Sequence, residues 1–163
     1  MSKHEPVTRL THFSIMPLSK HHIDIQSQPA SFDVAALGAD IKREVSDIDF
    51  ALLMGSAKEG VVAPHSDLDL ALFLRVAPSQ ALYEAVGRVV ASHVGPDVRA
   101  DIGILNQADP VYRYEALKGT LLFYRDEERW LNFYSVTCRL YEHQIADYKR
   151  QWRYRLERGS LCS

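Results

Sequence analysis

The chain has 163 residues, 47% of them hydrophobic and 25% charged, and a formal net charge of −2 at pH 7. This profile is typical of one globular domain with a full hydrophobic core, and it excludes disordered and fibrous proteins. The near-neutral charge gives no overall attraction to nucleic acid or anionic membranes, so direct nucleic-acid binding is not expected.

The cysteines and the N-terminus indicate the compartment. Cys138 and Cys162 are far apart and lack metal-ligand spacing, so neither a zinc site nor a disulfide framework is predicted. The N-terminal residues lack the apolar core of a signal peptide, and no run of about eighteen apolar residues occurs in the chain. We therefore expect a cytoplasmic protein without a membrane span.

The elements are predicted from apolar periodicity and from helix caps. Residues 1–30 are polar and proline-containing, and they are interpreted as an N-terminal arm or extra strands, with the main domain over 31–163. Further predictions are a helix over 32–45 capped by Ser31, strands over 50–55 and 67–74, a helix from Ser79 to Val94, a strand over 98–105, a helix from Asp109 to Gly119, and a strand over 120–124. The strands over 50–55 and 67–74 are expected to pair as a hairpin.

The last segment, from about residue 126 to 156, contains neither glycine nor proline and carries aromatic residues at steps of three and four. This spacing predicts a long aromatic-faced helix or a helical pair, as a C-terminal extension. The element order predicts an α+β fold with a small mixed or antiparallel sheet flanked by helices. Residues 148–158 mix basic and aromatic side chains. A solvated helix end is the favoured interpretation of this stretch. If the stretch binds a partner, a protein is favoured over a nucleic acid.

A pair of aspartates stands at the start of the strand over 67–74. Residues i and i+2 of a strand share a face, so Asp67 and Asp69 lie about 6.5–7 Å apart along the chain. Carboxylates at that spacing can bind one magnesium ion, or two ions about 3.5–4 Å apart. Gly55 and Ser56 follow directly on the preceding strand, where glycine permits a tight turn whose N–H groups approach a phosphate. Hairpin pairing would bring this turn beside the aspartates.

Two other acidic features need separate interpretation. Asp101 lies inside an apolar strand, on the same face as Arg99. It either completes a metal site, accepts a proton from an attacking hydroxyl, or is a strand-end acid that pairs with Arg99 or with an N–H group. Asp47 and Asp49 repeat the spacing of the first pair, but no glycine turn precedes them at the same distance. A solvated turn is predicted for them.

The stretch from Gly55-Ser56 through Asp67-Leu68-Asp69 resembles the signature of the nucleotidyltransferase superfamily to which DNA polymerase beta belongs, in the form seen in minimal nucleotidyltransferases (MNT). Asp101 is similar in position to the later acidic residue of that family. Residues 104–127 also resemble MNT proteins that act as antitoxins to HEPN-domain toxins. The resemblance covers about residues 45–130.

The resemblance implies a polymerase-beta-type palm and transfer of AMP from ATP, with two magnesium ions, to an acceptor hydroxyl. The catalytic and metal-binding residues that it implies are Asp67, Asp69 and Asp101. The nucleotide-binding residues that it implies are Gly55, Ser56, Lys58 and Ser66. Lys58 is the candidate replacement for an arginine that many members carry after Gly-Ser.

For the antitoxin branch, the resemblance implies that the acceptor is a tyrosine of a HEPN toxin, whose RNase activity is thereby silenced. Two alternatives are transfer to a small-molecule hydroxyl such as that of an antibiotic, and an antitoxin that neutralises by binding alone. The oligomeric state, including a possible oligomer, is left open.

Overall fold

The computed structural model describes residues 29–63 and 66–159, with side chains through Leu156. Most of the predicted arm, residues 1–28, lies outside the described residues. In chain order the elements are β1 (Ala30–Ser31), α1 (Val34–Glu44), β2 (Ile48–Leu53), a 3₁₀ helix (Gly55–Glu59), β3 (Val61–Val62), β4 (Leu68–Leu74), α2 (Gln80–Val94), β5 (Ala100–Ile104), α3 (Pro110–Leu117), β6 (Thr120–Tyr124) and α4 (Glu127–Gly159).

The main sheet has four strands in the order β5-β4-β2-β6. β2 is antiparallel to both β4 and β6, whereas β4 and β5 are parallel. The predicted hairpin is therefore confirmed, and the sheet is mixed. Within the loop predicted between its strands, β3 pairs antiparallel with β1, which joins Ala30 to Val62.

Helices cover both faces of this sheet. α1 and α2 pack on one face through residues such as Leu37, Ile41 and Val86. α3 and α4 pack on the other face, where Ala116 and Phe133 belong to a second apolar cluster. Because β2 and β4 are buried on both faces, their sequences read as nearly continuous apolar runs and not as a clean alternation.

Helix α1 begins later than its sequence predicts. Its N-cap is Asp33, whose side chain accepts hydrogen bonds from the N–H groups of Ala35 and Ala36. The predicted cap Ser31 was wrong, because its backbone is extended in β1 and pairs with Val61. A cap residue needs a side-chain oxygen in reach of the free amides in the first turn, and Asp33 has it. The predicted caps of α2 and α3 are confirmed.

The prediction of a solvated turn for Asp47 and Asp49 is half wrong. Asp47 lies in the turn before β2, but Asp49 is in the strand and only 1% exposed. Its Oδ2 atom pairs with Nη1 of Arg129 at 2.9 Å. The partner comes from the start of α4, eighty residues away, so the local pattern gave no sign of it. Asp49 is therefore a structural acid held between the sheet and a helix.

Helix α4 is a single helix of 33 residues, which makes it about 50 Å long. The alternative of a helical pair was wrong. Its first half packs on the domain, where Tyr141 stacks on Tyr114 with ring centroids 3.8 Å apart. Its distal part is exposed, and Trp152 shows 65% of its surface. In the described ranges no helix is long and apolar enough to cross a membrane.

Candidate active site

A tight turn connects the end of β2 to the 3₁₀ helix, and it lies against the start of β4. Gly55 has φ +65°, in the left-handed region that favours glycine. A Cβ atom at this position would lie 2.3 Å from Oδ2 of Asp69, so the backbone touches that carboxylate. The Met54 N–H donates to the Asp69 carbonyl at 2.8 Å and holds the turn in place. We call Met54–Ser56 the Gly55 turn.

Two carboxylates meet across the parallel strands β4 and β5. The register pairs Asp69 directly with Asp101, and pairs Ala71 with Gly103 two residues further along. Neighbouring strands lie about 4.8 Å apart, so the two acids are next to each other. Ala71 packs into the cluster beneath α3 and α4, so Asp69, two residues before it, faces the same side. Asp69 and Asp101 are called the acid pair.

The surroundings of Asp69 disfavour the ionised form of its carboxyl group. Burial raises the pKa of the Asp69 carboxyl, and the negative charges of Asp101 and then of Asp67 raise it further. Asp67 is 54% exposed, and its Oδ1 atom is 4.0 Å from Nε of Arg99. That distance and the exposure of both side chains make it a weak ion pair. Among the described residues, the acid paired with Arg99 is therefore Asp67 and not Asp101.

The acid pair suits magnesium by its chemistry. Carboxylate oxygens are the hard donors that Mg²⁺ prefers, and this ion is usually held by one or two carboxylates together with substrate phosphates. Burial and then the neighbouring negative charges raise the pKa of Asp69, and a bound cation would offset both effects by stabilising the ionised carboxylate. In the part of the chain that the structure describes, no three His, Cys, Asp or Glu side chains converge to hold an ion by themselves. A magnesium site that the nucleotide phosphates complete is consistent with two carboxylate ligands and with the lack of a third protein ligand among the described residues.

The remaining predicted nucleotide-binding residues differ in where they lie. Ser56 is exposed and directly follows Gly55 beside the acid pair. The Lys58 ammonium instead donates to the Lys118 carbonyl at 3.3 Å, at the end of α3. The Ser66 hydroxyl donates to the Ala63 carbonyl at 2.8 Å. In this structure the Gly55 turn adjoins the acids, whereas Lys58 and Ser66 bond to backbone carbonyls.

Tyr112 of α3 packs beside the candidate site, and the sequence did not single it out. Its hydroxyl oxygen would lie 1.7 Å from a Cβ atom at position 103, so its ring packs directly on Gly103 of β5. Burial raises the pKa of the Tyr112 hydroxyl, and Asp101 and Asp69 add to the shift. Glycine inside a strand often marks the close approach of another group, and that signal was available in the sequence.

Comparison with known proteins identifies the family. A family model described as "Polymerase beta, Nucleotidyltransferase" matches residues 39–128, which is more than half of the chain. The chain belongs to this nucleotidyltransferase family. Within this nucleotidyltransferase, the matched range includes the Gly55 turn, Asp67 and the acid pair. Among curated proteins, no match was found.

Solved structures share the fold of this nucleotidyltransferase. A mutant MntA–HpeT toxin–antitoxin is 17% identical with a TM-score of 0.58, and the match covers 74% of this chain and 96% of that chain. A toxin–antitoxin with AMP-PNP is 19% identical with a TM-score of 0.56, covering 73% and 95%. A tri-AMPylated Shewanella oneidensis HEPN toxin in complex with MNT antitoxin is 17% identical with a TM-score of 0.53, and the match covers 74% of this chain and 97% of that chain. This likeness confirms the predicted α+β fold of the polymerase-beta type.

The Gly55 turn provides a direct test of the site. Gly55→Ala should lower nucleotide transfer by about 10²-fold or more, because the added Cβ would collide with Asp69 and the backbone would have to leave φ +65°. Gly87→Ala is the matched control, since a Cβ at that helical position meets nothing within 4 Å. Initial rates of both variants measure the effect. Equal rates would contradict a site built on this turn.

Proposed function

We propose that the protein transfers AMP from ATP to a tyrosine hydroxyl of a HEPN-domain toxin and thereby acts as its antitoxin. The observation that carries the proposal is the contact of Gly55 with the Asp69 carboxylate, beside the pairing of Asp69 with Asp101. A backbone turn that can approach phosphates therefore lies beside two carboxylates that can bind a metal ion. That is the combination that phosphoryl transfer from a nucleoside triphosphate requires.

The Gly55 turn and the three aspartates have different roles in this reaction. The Gly55 turn and Ser56 bind the phosphates, and Asp69 and Asp101, with Asp67 at the rim, bind the cations that accompany ATP. Magnesium, when bound, supplies charge neutralisation at the phosphates. Asp101 accepts the proton of the attacking tyrosine hydroxyl. The tyrosine oxygen forms a bond to the α-phosphorus, the bond from that phosphorus to the bridging oxygen breaks, and pyrophosphate leaves.

The choice of acceptor is supported by the structural neighbours. One neighbour is a complex of an MNT antitoxin with a tri-AMPylated HEPN toxin, and another is a toxin–antitoxin with AMP-PNP. Their matched chains are covered almost completely, so this chain contains a domain of the same extent. We carry their partner class over to this chain as part of the proposal.

Neutralisation by binding alone is the second candidate, and the exposed end of α4 favours it. Tyr148, Trp152 and Leu156 are exposed large hydrophobic residues on that helix. Tyrosine, tryptophan and arginine are enriched in protein interfaces, and this end of α4 carries all three. An antitoxin of this kind would not need the acid pair.

Growth of cells that express a HEPN-domain toxin together with this protein separates the two candidates. The catalytic account predicts that the wild-type protein restores growth and that Asp67→Asn/Asp69→Asn does not, although both form the complex. Asp47→Asn is the control, because Asp47 lies in the turn before β2 and outside the site. Growth restored by the double variant would favour neutralisation by binding alone. If the protein instead transfers AMP to a small-molecule hydroxyl, neither the wild type nor the double variant should restore growth.

A further inference from the structure

The Tyr112 hydroxyl lies between the Gly55 turn and the strand that carries Asp101. It is 3.9 Å from Sδ of Met54, the residue that precedes Gly55. It also packs on Gly103, two residues beyond Asp101 and on the same face of β5. The hydroxyl therefore contacts one residue of the Gly55 turn and one neighbour of the acid pair.

The position of this side chain is fixed by its surroundings. A Cβ at residue 103 would lie 1.7 Å from the Tyr112 hydroxyl oxygen and 2.7 Å from its Cζ atom, so only glycine admits the ring there. At the other end, the Tyr112 N–H donates to Oδ1 of Asp109, the N-cap of α3, at 3.0 Å. The ring is thus held at both the backbone and the strand.

The Tyr112 hydroxyl makes a weak hydrogen bond although it is partly buried. Its hydrogen-bond acceptor among the described residues is the Met54 thioether, which is a weak acceptor. A tyrosine hydroxyl keeps its proton at neutral pH, so the group can act as a donor. A partly buried donor with a weak partner gains most from a charged oxygen acceptor.

We propose that Tyr112 binds the nucleotide by donating a hydrogen bond from its hydroxyl to a phosphate oxygen. A phosphate oxygen suits this position because the hydroxyl touches the residue next to Gly55, where the phosphates are expected. The inference deepens the proposed function and rests on it for the location of the nucleotide. It adds to the Asp67, Asp69 and Asp101 set a neutral donor contributed by α3.

Tyr112→Phe tests the contact, and Tyr114→Phe is its matched control. Phenylalanine keeps the ring on Gly103 and removes only the hydroxyl, whereas Tyr114 stacks on Tyr141 of α4. A hydrogen bond to a charged group implies about 10-fold weaker Mg·ATP binding for Tyr112→Phe, with a comparable or larger loss in transfer rate. Tyr114→Phe should match the wild type in both. Calorimetric titration with Mg·ATP and thermal unfolding are measured for all three proteins.

The outcomes distinguish the inference from the proposed function. Equal Mg·ATP affinity in Tyr112→Phe and Tyr114→Phe overturns the contact, even if the wild type transfers AMP. Weaker affinity accompanied by a lower unfolding temperature in Tyr112→Phe alone also overturns it, since the hydroxyl would then be structural. If the wild type binds Mg·ATP but transfers nothing to the toxin, the proposed function fails, and the affinity comparison still decides the role of Tyr112. A wild type that binds no Mg·ATP overturns both.

Discussion

Asp69→Asn should lower AMP transfer by about 10³-fold or more, without loss of the fold. The Asp69 carboxylate is the one that the Gly55 turn touches, and it faces Asp101 across the parallel strands. An amide has nearly the same shape but carries no charge, so it cannot neutralise a cation or hold it against the phosphates. Steady-state rates with saturating Mg·ATP measure the effect. A rate within about fivefold of the wild type would remove Asp69 from the catalytic set.

The same substitution has an opposite expected effect on stability. Because the pKa of Asp69 is raised in the folded state, ionisation of this carboxyl weakens folding once the pH rises above the unfolded value of 3.8. At neutral pH without metal, Asp69→Asn should therefore unfold at the same temperature as the wild type or higher. Magnesium together with ATP should raise the unfolding temperature of the wild type more than that of the variant. A less stable variant in metal-free buffer would mean that lost activity reflects lost structure.

Arg129→Met should destabilise the protein by about 2–3 kcal/mol. Its guanidinium pairs at 2.9 Å with Asp49, which is 1% exposed, and the second Asp49 oxygen has no hydrogen-bond partner within the described ranges. Removing one partner of a buried pair costs about 3–5 kcal/mol, and the estimate is reduced because 46% of the Arg129 side chain is exposed. Urea unfolding measures the change.

Two further variants test the buried pair. Arg43→Met should cost less than about 1 kcal/mol, because Arg43 pairs with Asp40 at the surface. Asp49→Asn combined with Arg129→Met should recover part of the stability lost in Arg129→Met, since no buried charge is left. An Arg129→Met protein as stable as Arg43→Met would show that Asp49 does not depend on this partner.

The twin Ser-Asp-x-Asp stretches show how far sequence reasoning extends. Asp67 and Asp69 were assigned to the site because a glycine turn precedes them at hairpin distance, and the hairpin formed as predicted. Their counterpart Asp49 was assigned to solvent, and it is buried against Arg129. Strand alternation and turns are local and can be read along the chain, but a partner eighty residues away cannot.

The same limit explains what was missed at the site. The caps Ser79 and Asp109 were predicted because a cap acts within its own first turn. The pairing of Asp69 with Asp101 depends on the register of two parallel strands separated by α2, and no turn between them fixes it. Tyr112 reaches the site only because its ring packs on Gly103 of β5, which is a contact between two elements that the local sequence does not fix.

Intact-mass measurement of the HEPN toxin, after incubation with this protein and Mg·ATP, tests the central proposal most directly. The account predicts that the toxin gains whole AMP units on a tyrosine, that Asp67→Asn/Asp69→Asn adds none, and that Asp47→Asn adds as many as the wild type. A toxin that is neutralised with its mass unchanged would contradict catalysis.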